Sequence, residues 1–178
     1  MPTLYDILTL LPELYLVAAV CLILLLDAFM KPAQRPQLHW ISIAVLLVAI
    51  YLVVAGQPEQ TATAFNGMFV RDHVAEILKV FALGITAVVF VYARPYMIDR
   101  KLFGGEFYAL MIFAALGVMV MVSAGNLVTI YLGLALLSLS SYALVALNRD
   151  ARLPPEAAIK YFVLSALASG MLLYGMSM

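Results

Sequence analysis

The sequence predicts an all-α protein, a polytopic membrane helix bundle of about six transmembrane helices with its N-terminus on the outer (periplasmic) side. Three observations carry this. Hydrophobic residues make up 66% of the chain and charged residues 11%, with a mean hydropathy of +1.06. A soluble domain holds about 45–50% apolar and about 25% charged residues. The apolar residues gather in runs long enough to cross ~30 Å of hydrocarbon as helix. The basic residues alternate between loops: Lys31 and Arg35, then Arg94, Arg100 and Lys101, then Arg149 and Arg152 follow the first, third and fifth runs, against Arg71 alone on the other side. Basic loops stay cytoplasmic, which sets the orientation.

The first helix is expected over approximately Leu8–Phe29, with Glu13 near one edge and Asp27 near the other. The first basic residue is Lys31, so this segment lacks the positive start of a cleaved signal peptide and reads as a retained span. Pro32 and Pro36 interrupt the helix. The second is expected over approximately His39–Ala55, with Trp40 at the depth where indole rings sit. Gln57 to Val70 is polar and reads as an exterior loop or hairpin. The third helix is expected over approximately Asp72–Tyr92, Arg94 to Gly105 as a loop, and the fourth helix over approximately Glu106–Val122. Ala124, Gly125 and Asn126 turn the chain into a fifth helix that is apolar from Leu127. The sixth is expected over approximately Glu156–Met178.

Composition excludes several function classes. Lys plus Arg equals Asp plus Glu at 10 each, and no basic cluster occurs, so no nucleic-acid partner is expected; the surrounding partner is the lipid bilayer. The single cysteine, Cys21, lies in an apolar run and reads as a small packing residue. One thiol cannot hold an iron–sulfur cluster. A Gly-rich dinucleotide loop is absent.

Ionisable groups inside a membrane are costly and tend to face protein or water. Asp72, Glu76 and Lys79 fall at steps of four and three, one helical face, where pairing of Glu76 with Lys79 lowers the cost of both. Structural pairing is the preferred reading over a proton path. Glu156 and Lys160 are four apart with the acid first, after Pro154 and Pro155. By position alone Lys160 snorkels to the membrane surface and Glu156 complements the helix dipole. Glu106 reads as a surface carboxylate at a helix start. Ser165, Ala166, Ala168, Ser169 and Gly170 are small residues suited to close helix packing.

The stretch Ser123 to Leu147, SAGNLVTIYLGLALLSLSSYALVAL, carries no charge. Tyr131, Ala135, Ser138 and Tyr142 share one helical face, a polar stripe with an apolar gap at Ala135. This stretch, with PPEAAIKYFVLSALASGMLLYG after it and GGEFYALMIFAALGVMVM before it, resembles the subunit N family of bacterial NADH–quinone oxidoreductase (respiratory complex I), among its antiporter-like membrane subunits. The resemblance is strong from Glu106 to Gly175 and diffuse before.

The resemblance implies part of a proton-translocating membrane module in the bacterial cell inner membrane, with other membrane subunits of complex I as partners. NAD, flavin, iron–sulfur and quinone sites are then expected in other subunits and no cofactor in this chain. It makes the chain an enzyme only as a subunit of a translocase. It implies a single membrane domain over residues 1–178, the N-terminal part of a longer subunit. It places Lys160 near proton-handling residues and makes Glu156, Glu106, Ser138, Lys79 and Glu76 further proton-path candidates. The family carries a glutamate within LGxELxSL, paired with a lysine on a later helix, and Ala135 stands at that position. Alanine cannot titrate, so Ala135 and the stop at Met178 imply impaired function. Rival readings are a monovalent cation/proton antiporter subunit and a non-conducting structural scaffold.

Overall fold

The computed structural model describes residues 4–30, 35–56, 61–99, 104–147 and 153–178. The described chain is helical apart from one hairpin: α1 (Leu4–Thr9), α2 (Leu11–Phe29), α3 (Arg35–Ala55), β1 (Ala62–Ala64), β2 (Phe69–Arg71), α4 (His73–Asp99), α5 (Gly105–Val122), α6 (Leu127–Val145) and α7 (Leu153–Ser177). Helices α2 to α7 supply six segments long and apolar enough to span a membrane. Lipid offers backbone groups no hydrogen-bond partners, so spanning segments close their own bonds as helices. The basic residues Lys31, Arg100, Lys101, Arg149 and Arg152 lie outside the described residues, as do residues 57–60 of the expected Gln57–Val70 loop.

Several boundaries differ from the sequence reading. The N-terminal helix is two pieces, because Pro12 in the first turn of α2 has no N–H to continue α1. Helix α3 begins at Arg35, four residues before the expected start. Helix α4 runs through Arg94 and Pro95 to Asp99, so the expected loop from Arg94 is largely helix. Pro95 removes one backbone donor close to the C-terminal end of this helix. Helix α7 starts at Leu153, which places Pro154 and Pro155 in its first turn, where missing donors cost nothing.

Around Leu16, Val20, Ile23, Leu46, Ala49, Leu83, Phe90, Tyr108, Ile112 and Met119, helices α2, α3, α4 and α5 form one apolar core. Phe90 and Tyr108 meet edge to face at 4.9 Å, and Tyr108 shares a hydrogen bond with buried His39 at 3.1 Å. Trp40 is exposed beside Arg94, whose guanidinium lies 5.8 Å from the ring. Asp27 packs against Gly105 at the start of α5; a Cβ there would come within 2.6 Å of the Asp27 side chain. A carboxylate at that end complements the helix dipole.

Strands β1 and β2 pair antiparallel, with Ala62 opposite Arg71 and Ala64 opposite Phe69. The turn takes Phe65, Asn66 and Gly67 into positive φ, at 53°, 54° and 83°; Asn and Gly tolerate this region best. The hairpin docks on the α5–α6 turn: Val70 N donates to Ser123 O at 2.8 Å, and Gly125 N donates to Met68 O at 2.9 Å. A Cβ on Gly125 would collide with the Gly67 carbonyl. Asn126 then caps α6 by accepting from Thr129 N at 2.8 Å.

Helices α5 and α6 touch backbone to backbone. A Cβ on Gly117 would lie 2.8 Å from Gly133 O, and one on Gly133 would lie 2.8 Å from Gly117 O. Small residues permit this approach in lipid. Helix α7 packs on α6 at the edge of the bundle, where Tyr142 meets Tyr161 and Phe162 at 5.0 and 5.5 Å. In the small-residue segment of α7, Ser165 and Ser169 are half-buried while Ala166, Ala168 and Gly170 are exposed. Close packing through that segment is therefore not made among the described residues. Cys21, expected as a small packing residue, is exposed on α2 among the described residues.

Two measurements test this architecture. With Cys21 replaced by serine, a cysteine at Asn66 should react from outside intact cells with an impermeant reagent, and one at Asp99 should not; the reverse pattern overturns the orientation. Gly133→Val should force α5 and α6 apart and destabilise the protein by about 1–3 kcal/mol, read as a lowered Tm in detergent. An unchanged Tm would contradict the backbone contact.

Candidate functional site

Lys79 has no exposed surface. Its position on α4 follows from the three-and-four spacing of Asp72, Glu76 and Lys79. Asp72 starts the helix, its Oδ1 accepting from Ala75 N at 2.7 Å. One turn on, Glu76 and Lys79 point into the bundle. A buried ammonium needs opposite charge, and two carboxylates supply it: Glu13 Oε1 of α2 at 2.8 Å and Glu76 Oε1 at 3.4 Å. The Phe69 ring covers it, with Nζ 5.0 Å from the centroid.

Arg71 completes the cluster from β2. Its Nε donates to Glu76 Oε1 at 2.6 Å and its Nη2 to Glu76 Oε2 at 3.2 Å, a bidentate pair. Nη2 also lies 3.4 Å from the Val53 carbonyl of α3. Gly56 leaves room for the guanidinium; a Cβ there would lie 3.0 Å from Nη2. Two acids and two bases, all buried, thus join α2, α3, β2 and α4.

The sequence reading anticipated pairing of Glu76 with Lys79, and the structure contains it. It had not joined Glu13 or Arg71 to the pair. The signals were present: Arg71 is the one basic residue on its side of the chain, directly before the stripe, and Glu13 sits at the matching edge of the first helix. Which helices face each other is what a linear pattern lacks. The His39–Tyr108 bond was missed for the same reason.

The remaining candidates lie elsewhere. Glu156 and Lys160 pair at 2.6 Å on one face of α7, as the spacing predicts. Their side chains are 60% and 72% exposed, so neither is turned toward the other described helices. The Lys160 side chain, like most of α7, has no neighbouring helix on that face among the described residues. Glu106 lines a cleft of about 290 Å³ between α2, α5 and α6, otherwise walled by apolar residues such as Leu24, Phe113 and Ala143. It sits at the end opposite the Lys79 cluster.

Ala135 and Ser138 are half-buried on α6. Gly133 and Leu137 face α5, so Ala135, two residues from each, lies on the opposite side with Tyr142. Tyr142 meets α7 next to Lys160. Ala135 is seven residues from Tyr142, about 10 Å along the helix axis. The structure therefore brings Glu13, Arg71, Glu76 and Lys79 together and leaves Glu106, Ala135 with Ser138, and Glu156 with Lys160 as separate places.

Removing one member of a buried ionic cluster strands the others. Glu76→Ala should cost about 3–5 kcal/mol, whereas Asp72→Ala, which removes only a helix cap, should cost about 0.5–2 kcal/mol. Thermal denaturation of both variants in detergent checks the order, and equal effects would contradict the cluster.

Comparison with known proteins supplies the wider context. Residues 2–92 match the model for the NAD(P)H-quinone oxidoreductase subunit 2 N-terminal family, and residues 124–178 match that for NADH:quinone oxidoreductase/Mrp antiporter, TM. NADH-quinone oxidoreductase subunit N of Thioalkalivibrio sulfidiphilus is 46% identical over 172 residues, covering 97% of this chain and 36% of that relative. Subunit N of Thiobacillus denitrificans is 49% identical over 168 residues, covering 94% and 35%. A chain of respiratory complex I from Thermus thermophilus with bound aureothin is similar in structure, with a TM-score of 0.73 and 27% identity, covering 92% of this chain and 35% of that one. The chain thus spans about a third of the length of the relatives it matches.

Proposed function

The chain belongs to the NAD(P)H-quinone oxidoreductase subunit 2 N-terminal family, and on that premise we propose that it forms part of the proton-translocating membrane module of a bacterial NADH-quinone oxidoreductase. The observation that carries this is its identity of 44–49% to proteins named subunit N over nearly its whole length. The names of those relatives favour the quinone oxidoreductase over a cation/proton antiporter subunit. In this reading the chain lies in the cell inner membrane against other membrane subunits of complex I. NAD, flavin, iron–sulfur and quinone chemistry is performed by those and further subunits. The hairpin end faces outward, since the loops at the other end carry the basic residues.

The polar groups suit the two ends of a proton route better than its middle. Glu13, Glu76 and Lys79 lie at the hairpin end; Glu106 and the Glu156–Lys160 pair lie toward the opposite end. Between them α6 presents Ala135, which can neither bind a proton nor stabilise a buried ammonium. A carboxylate there would raise the proton affinity of a facing lysine, by about one to three pKa units in a buried site.

The experiment compares two preparations. In a full-length subunit assembled with its complex, Ala135→Glu should raise proton pumping per quinone reduced. The 178-residue chain alone, in liposomes holding a pH-sensitive dye, should show no proton flux above empty vesicles, with or without Ala135→Glu. Flux abolished by Lys160→Ala, or pumping unaffected by Ala135→Glu in the complex, would overturn this account of Ala135.

A further inference from the structure

The two carboxylates beside Lys79 are held unequally. Glu76 receives both arms of Arg71, at 2.6 and 3.2 Å, and Lys79 at 3.4 Å. Glu13 has the Lys79 ammonium 2.8 Å from Oε1. Oε1 is taken by that ammonium, while Oε2, in a residue only 4% exposed, meets no donor among the described residues. Buried polar atoms without such partners are uncommon and call for a ligand. Here the ligand a carboxylate oxygen takes most simply is a proton.

We propose that Glu13 is an exchangeable proton-binding site at the hairpin end of the bundle, with Lys79 as its counter-charge and the bidentate Arg71–Glu76 pair beside it. The inference rests on the reading of the chain as part of a proton-translocating module, and assigns one residue of that module a role. Uptake forms one O–H bond at Oε2 and takes the cluster from neutral to a single positive charge. Release to the outer water reverses it.

Glu76 is the poorer acceptor, because protonating it would break the bidentate pair and strand Arg71 in the bundle. When Glu13 is neutral, the ammonium still has Glu76 3.4 Å away and the Phe69 ring face beneath it. Glu13 itself meets Lys79 of α4, behind which stand Glu76 of α4 and Arg71 and Phe69 of β2. Helix α3 contributes the Val53 carbonyl, which accepts from Arg71.

Two readouts test this. In the purified chain in lipid, infrared titration should show a protonated-carboxyl stretch that Glu13→Gln removes and Asp72→Asn leaves in place; a band unchanged in Glu13→Gln overturns the site. This readout does not depend on the complex, so it stands apart from failure of the functional reading. In a full-length subunit assembled with its complex, Glu13→Gln should slow proton pumping about tenfold or more. Glu13→Asp should keep part of the rate. The double variant Glu13→Gln/Lys79→Met removes both charges, so a merely structural pair would regain normal pumping. Recovery in the double variant, or full pumping by an assembled Glu13→Gln complex, overturns the role in translocation.

Discussion

The ammonium of Lys79, buried in the bundle, is the constraint on which the surrounding structure depends. A lone charge there would be prohibitively desolvated, so α2 must bring Glu13 and α4 must bring Glu76 to it. Glu76 then needs Arg71 less for its own neutrality than to balance the cluster, because two carboxylates face one ammonium. That requirement fixes β2, and with it the hairpin, over the ends of α2, α3 and α4. The arrangement is specific because each charge has a geometric partner, whereas apolar contacts between helices in lipid have little preference for one rotation over another.

The hairpin carries this constraint further along the chain. Its backbone bonds to Ser123 and Gly125 tie it to the α5–α6 turn, where Asn126 opens α6. From that point the contact of Gly117 with Gly133 sets the rotation of α6 against α5. Ala135 is consequently held on the face shared with Tyr142, away from α5. A titrating side chain at that position would be aimed by backbone contacts on the far side of its own helix.

Between the two polar ends the core is filled largely by apolar side chains such as Ile23, Leu46, Ala49, Leu83 and Ile112. The Lys79 cluster and the Glu106 cleft are therefore separate polar places on one scaffold. The Glu156–Lys160 pair has a different physical character. Its exposed side chains form a local helix pair of the kind that contributes only tenths of a kcal/mol, about 0.2–0.5, whereas the cluster at Lys79 organises four elements.

Composition, apolar runs and turn residues determined by themselves that this is a membrane helix bundle, the number of its spans, the hairpin region and the family motifs around Ala135. Those properties are local: hydropathy and helix spacing act within one segment and survive without knowledge of neighbours. The Glu76–Lys79 and Glu156–Lys160 pairs were legible for the same reason, each lying within one helix. Only the tertiary structure decided that Glu13 shares Lys79, that Arg71 holds Glu76, that His39 meets Tyr108, and that α7 exposes Lys160. Each of these depends on which helix faces go together. In lipid every outer face is equally apolar, so the choice is made by buried charge, backbone contacts at glycine and a docked hairpin, all of them contacts between residues distant in the chain.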